Sequence, residues 1–322
     1  MLKITTLHET YLLTKAFGIS RGSKTQADVV RVTIENGSFS GQGECVPYGR
    51  YGESIESVVA QIHELPPTFT RDELQGLMPA GAARNAVDCA LWDLEAKQSN
   101  TPVWQLAGLA EPHTVTTAYT ISLAQPSNMQ EDAAKNAHRP LLKLKLGTPD
   151  DLPRLKAVRE GAPNSEIIVD ANEGWKLEEL NALLPHLKAF GVSLIEQPLP
   201  EKNDAPLTDY VGQIPVCADE SCHTTLGLDE LKEKYQFINI KLDKTGGLTE
   251  AIKLKHRAEE MGIGIFVGCM VGTSLSMAPA LLLAQNAKYI DLDGPLLLAE
   301  DRSPGLQYEG SSIYPPRQDL WG

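Results

Sequence analysis

Cysteine is scarce and unpatterned in this chain of 322 residues: there are five, an odd number, and no two stand in Cys-x-x-Cys spacing. That excludes a disulfide framework and a cysteine-rich zinc site, and it suits reduced thiols. Positive charge is in deficit, with 29 Lys and Arg against 42 Asp and Glu, a net charge of -13 and a pI near 5.0. Phosphate recognition needs a basic footprint, so nucleic acid is not expected as a partner. Long apolar runs are missing too. No segment approaches the roughly 18 uninterrupted apolar residues of a membrane span, and the opening stretch MLKITTLHETYLLTKAFGIS has polar residues throughout and no apolar core of a secretion signal. A cytoplasmic protein without a membrane partner is expected; whether it forms a homo-oligomer is left open. Finally, no Gly-x-Gly-x-x-Gly follows an early strand, which leaves a dinucleotide site unsupported.

What is present is an ordinary globular composition, 42% hydrophobic and 22% charged, long enough for one large domain or two modest ones. The first hundred residues mix strand-like runs with helical patterns: VVRVTIENGSFSGQGEC carries Asn36-Gly37 as a hairpin turn. In AARNAVDCALWDLEAK, Ala83, Val87, Ala90, Leu91 and Leu94 lie on one helical stripe. From about residue 114 the texture changes. Eight short β-rich runs, TVTTAYTISL, LLKLKLG, SEIIVDAN, VSLIEQPL, IPVCADES, FINIKLDKTGG, GIGIFVGCM and YIDLDGP, alternate with segments of helical spacing. Strand–helix–strand units with right-handed crossovers build a parallel sheet. Eight of them close most naturally into a (β/α)8-type barrel; a doubly wound open sheet is the alternative.

Alternation along LLKLKLG puts Lys143 and Lys145 on one face and Leu142, Leu144 and Leu146 on the other. Taken alone, such a strand reads as an edge strand with its lysines in water. In a barrel the leucines face the helices and both lysines point inward, where ammonium groups need anions. The next three strands supply them: IIVDAN ends in Asp170, LIEQP in Glu196 and VCADES in Asp219. A single acid after a strand could cap a helix. Three converging on one barrel mouth repel each other unless a divalent cation sits among them, and an all-oxygen ligand set suits Mg²⁺. Lys241, inward if Phe237 and Asn239 share its face, stands several strands around the ring from Lys145. Two amines on opposite sides of a metal-held substrate suit removal and return of a proton, with inversion at carbon. Lys143 would tune its neighbour and pair with substrate oxygens.

With these residues in hand the chain resembles the enolase superfamily, and within it the muconate lactonising enzyme subgroup, whose sites use a lysine or histidine base with Mg²⁺. The resemblance covers nearly the whole chain. It implies a modified (β/α)7β barrel, residues 111–295, under an α+β capping domain made of residues 1–110 and completed by the tail, about 296–322. The stretches GECVPYGRYGES, PAGAARNAVDCALWDLEAK, IVDANEGW, EQPLP, CADESCHT, NIKLDKTGGLTEA and DLDGP resemble the dipeptide epimerases, most closely those acting on L-Ala-D/L-Glu. The resemblance implies Lys145 and Lys241 as catalytic lysines, Asp170, Glu196 and Asp219 as metal ligands, and Thr120 as a substrate contact. It also implies that Asp291 and Asp293 receive the dipeptide's ammonium, although an Asp pair before Gly294 is also a plain turn former. The loop GISRGSKTQ would close over the substrate's other end, with Arg21 or Lys24 on a glutamate side chain if neither is merely solvated. Glu220 would orient Lys241 or serve structure alone. The implied activity is a Mg²⁺-dependent 1,1-proton transfer at the glutamate α-carbon, with a role in recycling murein peptides.

The seventh strand has no histidine, which argues against the mandelate racemase branch. His223 is expected to pack or cap. o-Succinylbenzoate synthase, N-succinylamino acid racemase and muconate cycloisomerase share this site, but their substrates offer no ammonium to two acids. A Schiff-base aldolase barrel and a non-catalytic binding barrel are the readings of other classes.

Overall fold

The computed structural model describes residues 1–322. An antiparallel three-stranded sheet opens the chain: β1 (Lys3–Ile19), β2 (Gly22–Asn36) and β3 (Phe39–Cys45), in that order. Three helices cover it: α1 (Ile55–His63), α2 (Arg71–Leu77) and α3 (Ala82–Ser99). Ser54 and Thr70 start the first two with reciprocal capping boxes to Ser57 and Glu73. Small residues set the closest packing. A Cβ at Gly43 would stand 2.1 Å from the Ala86 carbonyl, so only glycine lets β3 lie directly on α3. The stripe expected from sequence, Ala83, Val87, Ala90, Leu91 and Leu94, is buried there together with Val30, Val32 and Ile34 of β2.

After α4 (Val103–Leu106) and β4 (Val115–Thr116), eight parallel strands follow in ring order: β5 (Tyr119–Ile121), β6 (Leu141–Lys145), β7 (Glu166–Asp170), β8 (Val192–Glu196), β9 (Val216–Ala218), β10 (Phe237–Ile240), β11 (Gly264–Gly268) and β12 (Tyr289–Asp291). No ladder joins β12 to β5; the seam closes through Ala118 N–H on the Ile290 carbonyl at 2.7 Å and Leu292 N–H on Thr117 Oγ1 at 2.9 Å. Helices α5 (Pro126–Lys135), α6 (Asp151–Gly161), α7 (Leu177–Ala189), α8 (Leu228–Lys232), α9 (Leu242–Thr245), α10 (Leu248–Glu260) and α11 (Ser274–Ala284) fill the crossovers. The crossover from β8 to β9 departs from the pattern and has only 3-10 turns over 201–203 and 205–209. Pro200, Pro206 and Gly212 leave it no helix-forming run. After β12 come α12 (Gly294–Leu297), β13 (Tyr308–Glu309) and β14 (Ser312–Ile313), the last pairing with β4. The tail ends on α3, where Trp321 Nε1 donates to the Cys89 carbonyl at 3.0 Å.

The barrel interior is layered by the two-residue period of its strands. Ala118, Leu141, Ile168, Leu194, Cys217, Phe237, Phe266 and Tyr289 meet as an apolar plug at the N-terminal end. Two residues further along each of these strands stand Thr120, Lys143, Asp170, Glu196, Asp219, Asn239, Gly268 and Asp291. The plug therefore points the entire next layer into the same interior, and every member of that layer but Gly268 carries a polar side chain. Leu142 and Leu144 of β6 face outward into the 54-residue core between sheet and helices, each contributing about 1.5–3 kcal/mol by burial.

Candidate active site

Lys145 aligns with Asp170 across β6 and β7, and Asp170 with Glu196 across β7 and β8. These registers bring Asp170, Glu196 and Asp219 together, with one oxygen of each within 4.8 Å of the others and all three buried. Lysines surround them. Lys145 Nζ donates to Asp170 Oδ2 at 2.6 Å, and Lys241 Nζ to Asp219 Oδ2 at 2.6 Å. Lys143 Nζ lies 2.7 Å from Glu196 Oε2, 3.3 Å from Asp170 Oδ2 and 2.9 Å from Asp291 Oδ2. The lysines and acids inferred from strand ends thus form one charged cluster.

Burial works to raise Asp170, but Lys145 and Lys143 outweigh it and hold the carboxyl at about 2. Asp219 is likewise held well below the usual range against its burial, by Lys241 and Lys244. For Glu196, burial and the neighbouring charge of Asp170 prevail and push it up to about 8. Burial works to lower Lys241 and Lys143, yet the facing carboxylates keep both above the ordinary lysine value. Glu196 Oε2 has no hydrogen bond of acceptable angle, although the Lys143 ammonium is near. A buried set of three carboxylates with oxygens converging within 4.8 Å fits a hard divalent cation.

Above the cluster is a cavity of about 440 Å³. Lys143, Lys145, Lys241, Asp219, Thr120, Asp291, Asp293, Arg21 and Lys24 all line it; Asp170 and Glu196 lie beneath its floor. At one end Thr120 N–H donates to Asp293 Oδ2 at 2.7 Å, and burial with the charge of Asp291 pushes Asp293 up to about 7. The tip of the β1–β2 hairpin adds Phe17, Ile19, Arg21 and Lys24 to the lining. There the structure separates the two cations that the sequence left equivalent. Arg21 is taken up by protein groups, donating to Glu220 Oε1 at 2.8 Å, Glu173 Oε2 at 3.1 Å and the Asn172 carbonyl at 2.7 Å. Lys24 has no such partner, and burial lowers it from the ordinary lysine value.

The geometry has its counterpart in known proteins. Residues 128–317 match the enolase C-terminal domain-like family model, and residues 1–108 match the N-terminal domain model of the mandelate racemase / muconate lactonizing enzymes. The chain belongs to the enolase superfamily. An L-Ala-D/L-Glu epimerase of Escherichia coli is 44% identical over 98% of this chain and 100% of its own length. An N-acetyl-D-glutamate racemase of a Pseudoalteromonas species is 47% identical over 91% of this chain and 95% of its own. Among solved structures, an enolase family member from Agrobacterium tumefaciens with homology to dipeptide epimerases, holding sodium and L-Ala-L-Glu, superposes with a TM-score of 0.98 at 54% identity over the whole of both chains. This member of the superfamily is an isomerase, of the epimerase and racemase kind, and the aldolase and binding-barrel readings fall away.

The cluster also contains residues that the strand period does not point to. Lys244, in the first turn after Lys241, is buried and donates to Asp219 Oδ1 at 2.6 Å and to the Asn239 carbonyl at 3.0 Å. It occupies one oxygen of Asp219 while Lys241 takes the other. Asn239 Nδ2 holds Glu196 Oε1 at 2.7 Å. The Lys-x-x-Lys spacing was the available signal, but only the fold turns Lys244 back beneath the strand end. Cys269 and Met270 after β11 also line the cavity. His223 packs edge-on to Tyr51 at 4.7 Å between centroids, its Nε2 is 3.1 Å from the Glu220 carbonyl, and burial lowers it to about 4.

Proposed function

We propose that the protein epimerises L-Ala-D/L-Glu at the glutamate α-carbon by a 1,1-proton transfer between two lysines. One observation carries this reading: Lys145 and Lys241 flank the acid triad from either side, each 2.6 Å from a carboxylate of a different member, and both open into the same cavity. Asp170, Glu196 and Asp219 would hold Mg²⁺, whose charge favours loss of the proton next to a substrate carboxylate. Lys145 and Lys241 are the groups that take and return that proton, one on each face of the carbon. Lys143 and Lys244 keep the floor neutral enough to approach. The Asp291–Asp293 pair suits a cationic N-terminus, and Lys24, the lid cation not engaged by a protein carboxylate, suits the distal carboxylate of a glutamate side chain. A cytoplasmic enzyme acting on murein peptides belongs to the same reading.

A second reading has an observation of its own. With Asp293 pushed up to about 7, a protonated carboxyl at that position can donate to an acyl oxygen, which suits N-acetylglutamate in place of a dipeptide. Proton NMR in D₂O separates the two. L-Ala-L-Glu should lose its glutamate α-proton signal and give the L,D diastereomer with Mg²⁺, and lose this activity with EDTA. Faster exchange of N-acetyl-L-glutamate than of the dipeptide would replace the first reading with the second.

A further inference from the structure

Arg21 sits on the lid, yet its guanidinium is spent on the barrel. One fork nitrogen donates to the Asn172 carbonyl at 2.7 Å and to Glu173 Oε2 at 3.1 Å; the other donates to Glu220 Oε1 at 2.8 Å and to Tyr48 Oη at 3.2 Å. Ser20, next to it, donates to the same Asn172 carbonyl at 3.0 Å. Both segments that Arg21 grips adjoin the acid triad. Asn172 returns its N–H to Asp170 Oδ1 at 2.8 Å and its side-chain amide to Asp170 Oδ2 at 3.2 Å. Glu220 follows Asp219 directly.

The gripped turn is also an unusual piece of backbone. Asn172 and Glu173 are consecutive non-glycine residues with φ of 45° and 66°; asparagine enters the left-handed region readily, but a glutamate directly after it does so at a cost that outside support offsets. That support comes from the capping region: Arg50 holds Glu173 through two nitrogens at 2.9 and 2.8 Å, while Ser20 and Arg21 hold Asn172. Gly147 makes room for the contact. It has φ of 106°, and a Cβ there would stand 2.3 Å from the Ala171 carbonyl and 2.9 Å from Ser20 Cβ.

We infer that Arg21 is a positioning residue: by latching the closed lid onto Asn172 and Glu220, it couples lid closure to the setting of Asp170 and Asp219, and it does not read the substrate side chain. The inference deepens the proposed reading and rests on its assignment of those two acids. Its effect is expected to be independent of what the second substrate residue carries, because four donations to protein groups already engage both terminal nitrogens of the guanidinium.

The test compares Arg21→Met and Arg21→Lys with the unaltered enzyme, using hydrogen exchange by mass spectrometry and steady-state epimerisation. Arg21→Met should raise exchange in peptides covering 18–24 and 171–175 together, with β10 and β11 unchanged. It should lower kcat/KM by about 10- to 100-fold, by the same factor for L-Ala-L-Glu and L-Ala-L-Leu. Arg21→Lys, which keeps the charge without the fork, should recover only part of both effects. Loosening confined to 18–24, or a loss seen only with L-Ala-L-Glu, would overturn the inference. If the unaltered enzyme turns over neither dipeptide, the substrate reading fails and the exchange measurement still decides the latch.

Discussion

Two groups of buried acids differ in what they face. Along the seam between α3 and the barrel, Asp88 accepts from Thr249 N–H and Gln75, Asp243 from Val46 N–H and Asn85, and Glu44 from Thr273 N–H and hydroxyl and from Arg302. Their donors are mostly neutral amides and hydroxyls. At the barrel mouth Asp170, Glu196 and Asp219 instead face ammonium groups and one another, and Glu196 Oε2 and Glu220 Oε2 are left without a hydrogen bond. Burial alone is therefore uninformative. A carboxylate satisfied by neutral donors of two packed elements holds those elements together, whereas carboxylates clustered on one another and balanced by ammonium groups can turn their charge to a ligand.

The sharpest way to break that contrast is to remove the lysines. Lys145→Ala and Lys241→Ala should each reduce epimerisation by about 10²–10⁴-fold or more with folding retained, as followed by NMR and circular dichroism; full activity in either variant would remove the two-base mechanism. Next in size is Lys24→Met, expected to lower kcat/KM for L-Ala-L-Glu by about 10- to 100-fold, from loss of a charge-assisted contact worth roughly 1.5–3 kcal/mol. An unchanged kcat/KM would return the distal carboxylate to another group.

pH offers a finer test at the mouth. Asp293 is held up at about 7, so it gains its charge as pH rises through that value and loses it below. Preference for the ammonium-bearing dipeptide over N-acetyl-L-glutamate should accordingly increase severalfold between pH 6 and 8, and a flat ratio would show that Asp293 does not sense the ammonium. The smallest effect belongs to the seam. Burial pushes Asp243 up to about 7, so the folded state binds a proton more tightly than the unfolded chain, and stability falls as pH rises from about 4 to 7. Asp243→Asn keeps the Oδ1 acceptor without the charge and should raise Tm at pH 8 by about 2–4 °C, with little change at pH 4. An equal shift at both pH values would mean that charge is not what the seam resists.

Much of the site was legible because a strand has a strict period. Once LLKLKLG is read as a strand with leucines toward the helices, Lys143 and Lys145 must share the interior, and each acid at the end of the next three strands inherits the same position. Lys244 and Asn172 escaped that logic: they lie beyond the strand ends, in the single-turn helix α9 and in a turn, where the two-residue period of the strand no longer says which way a side chain points. The equivalence of Arg21 and Lys24 had the same origin. Both are cations on one hairpin tip, and nothing local distinguishes a residue that will meet Glu220, 199 positions away, from one that will not.

By itself, then, the sequence determined the alternation of strands and helices, the barrel interior, and the residue types at each strand end, since these follow from side-chain direction and burial. Tertiary structure alone decided which carboxylates face ammonium groups, which cation of the hairpin tip is spent on protein groups, and which side chains of the capping region hold the left-handed turn at Asn172 and Glu173. Those properties depend on distances between residues far apart in the chain, and a hydrogen-bonded contact is made or lost within an ångström or so.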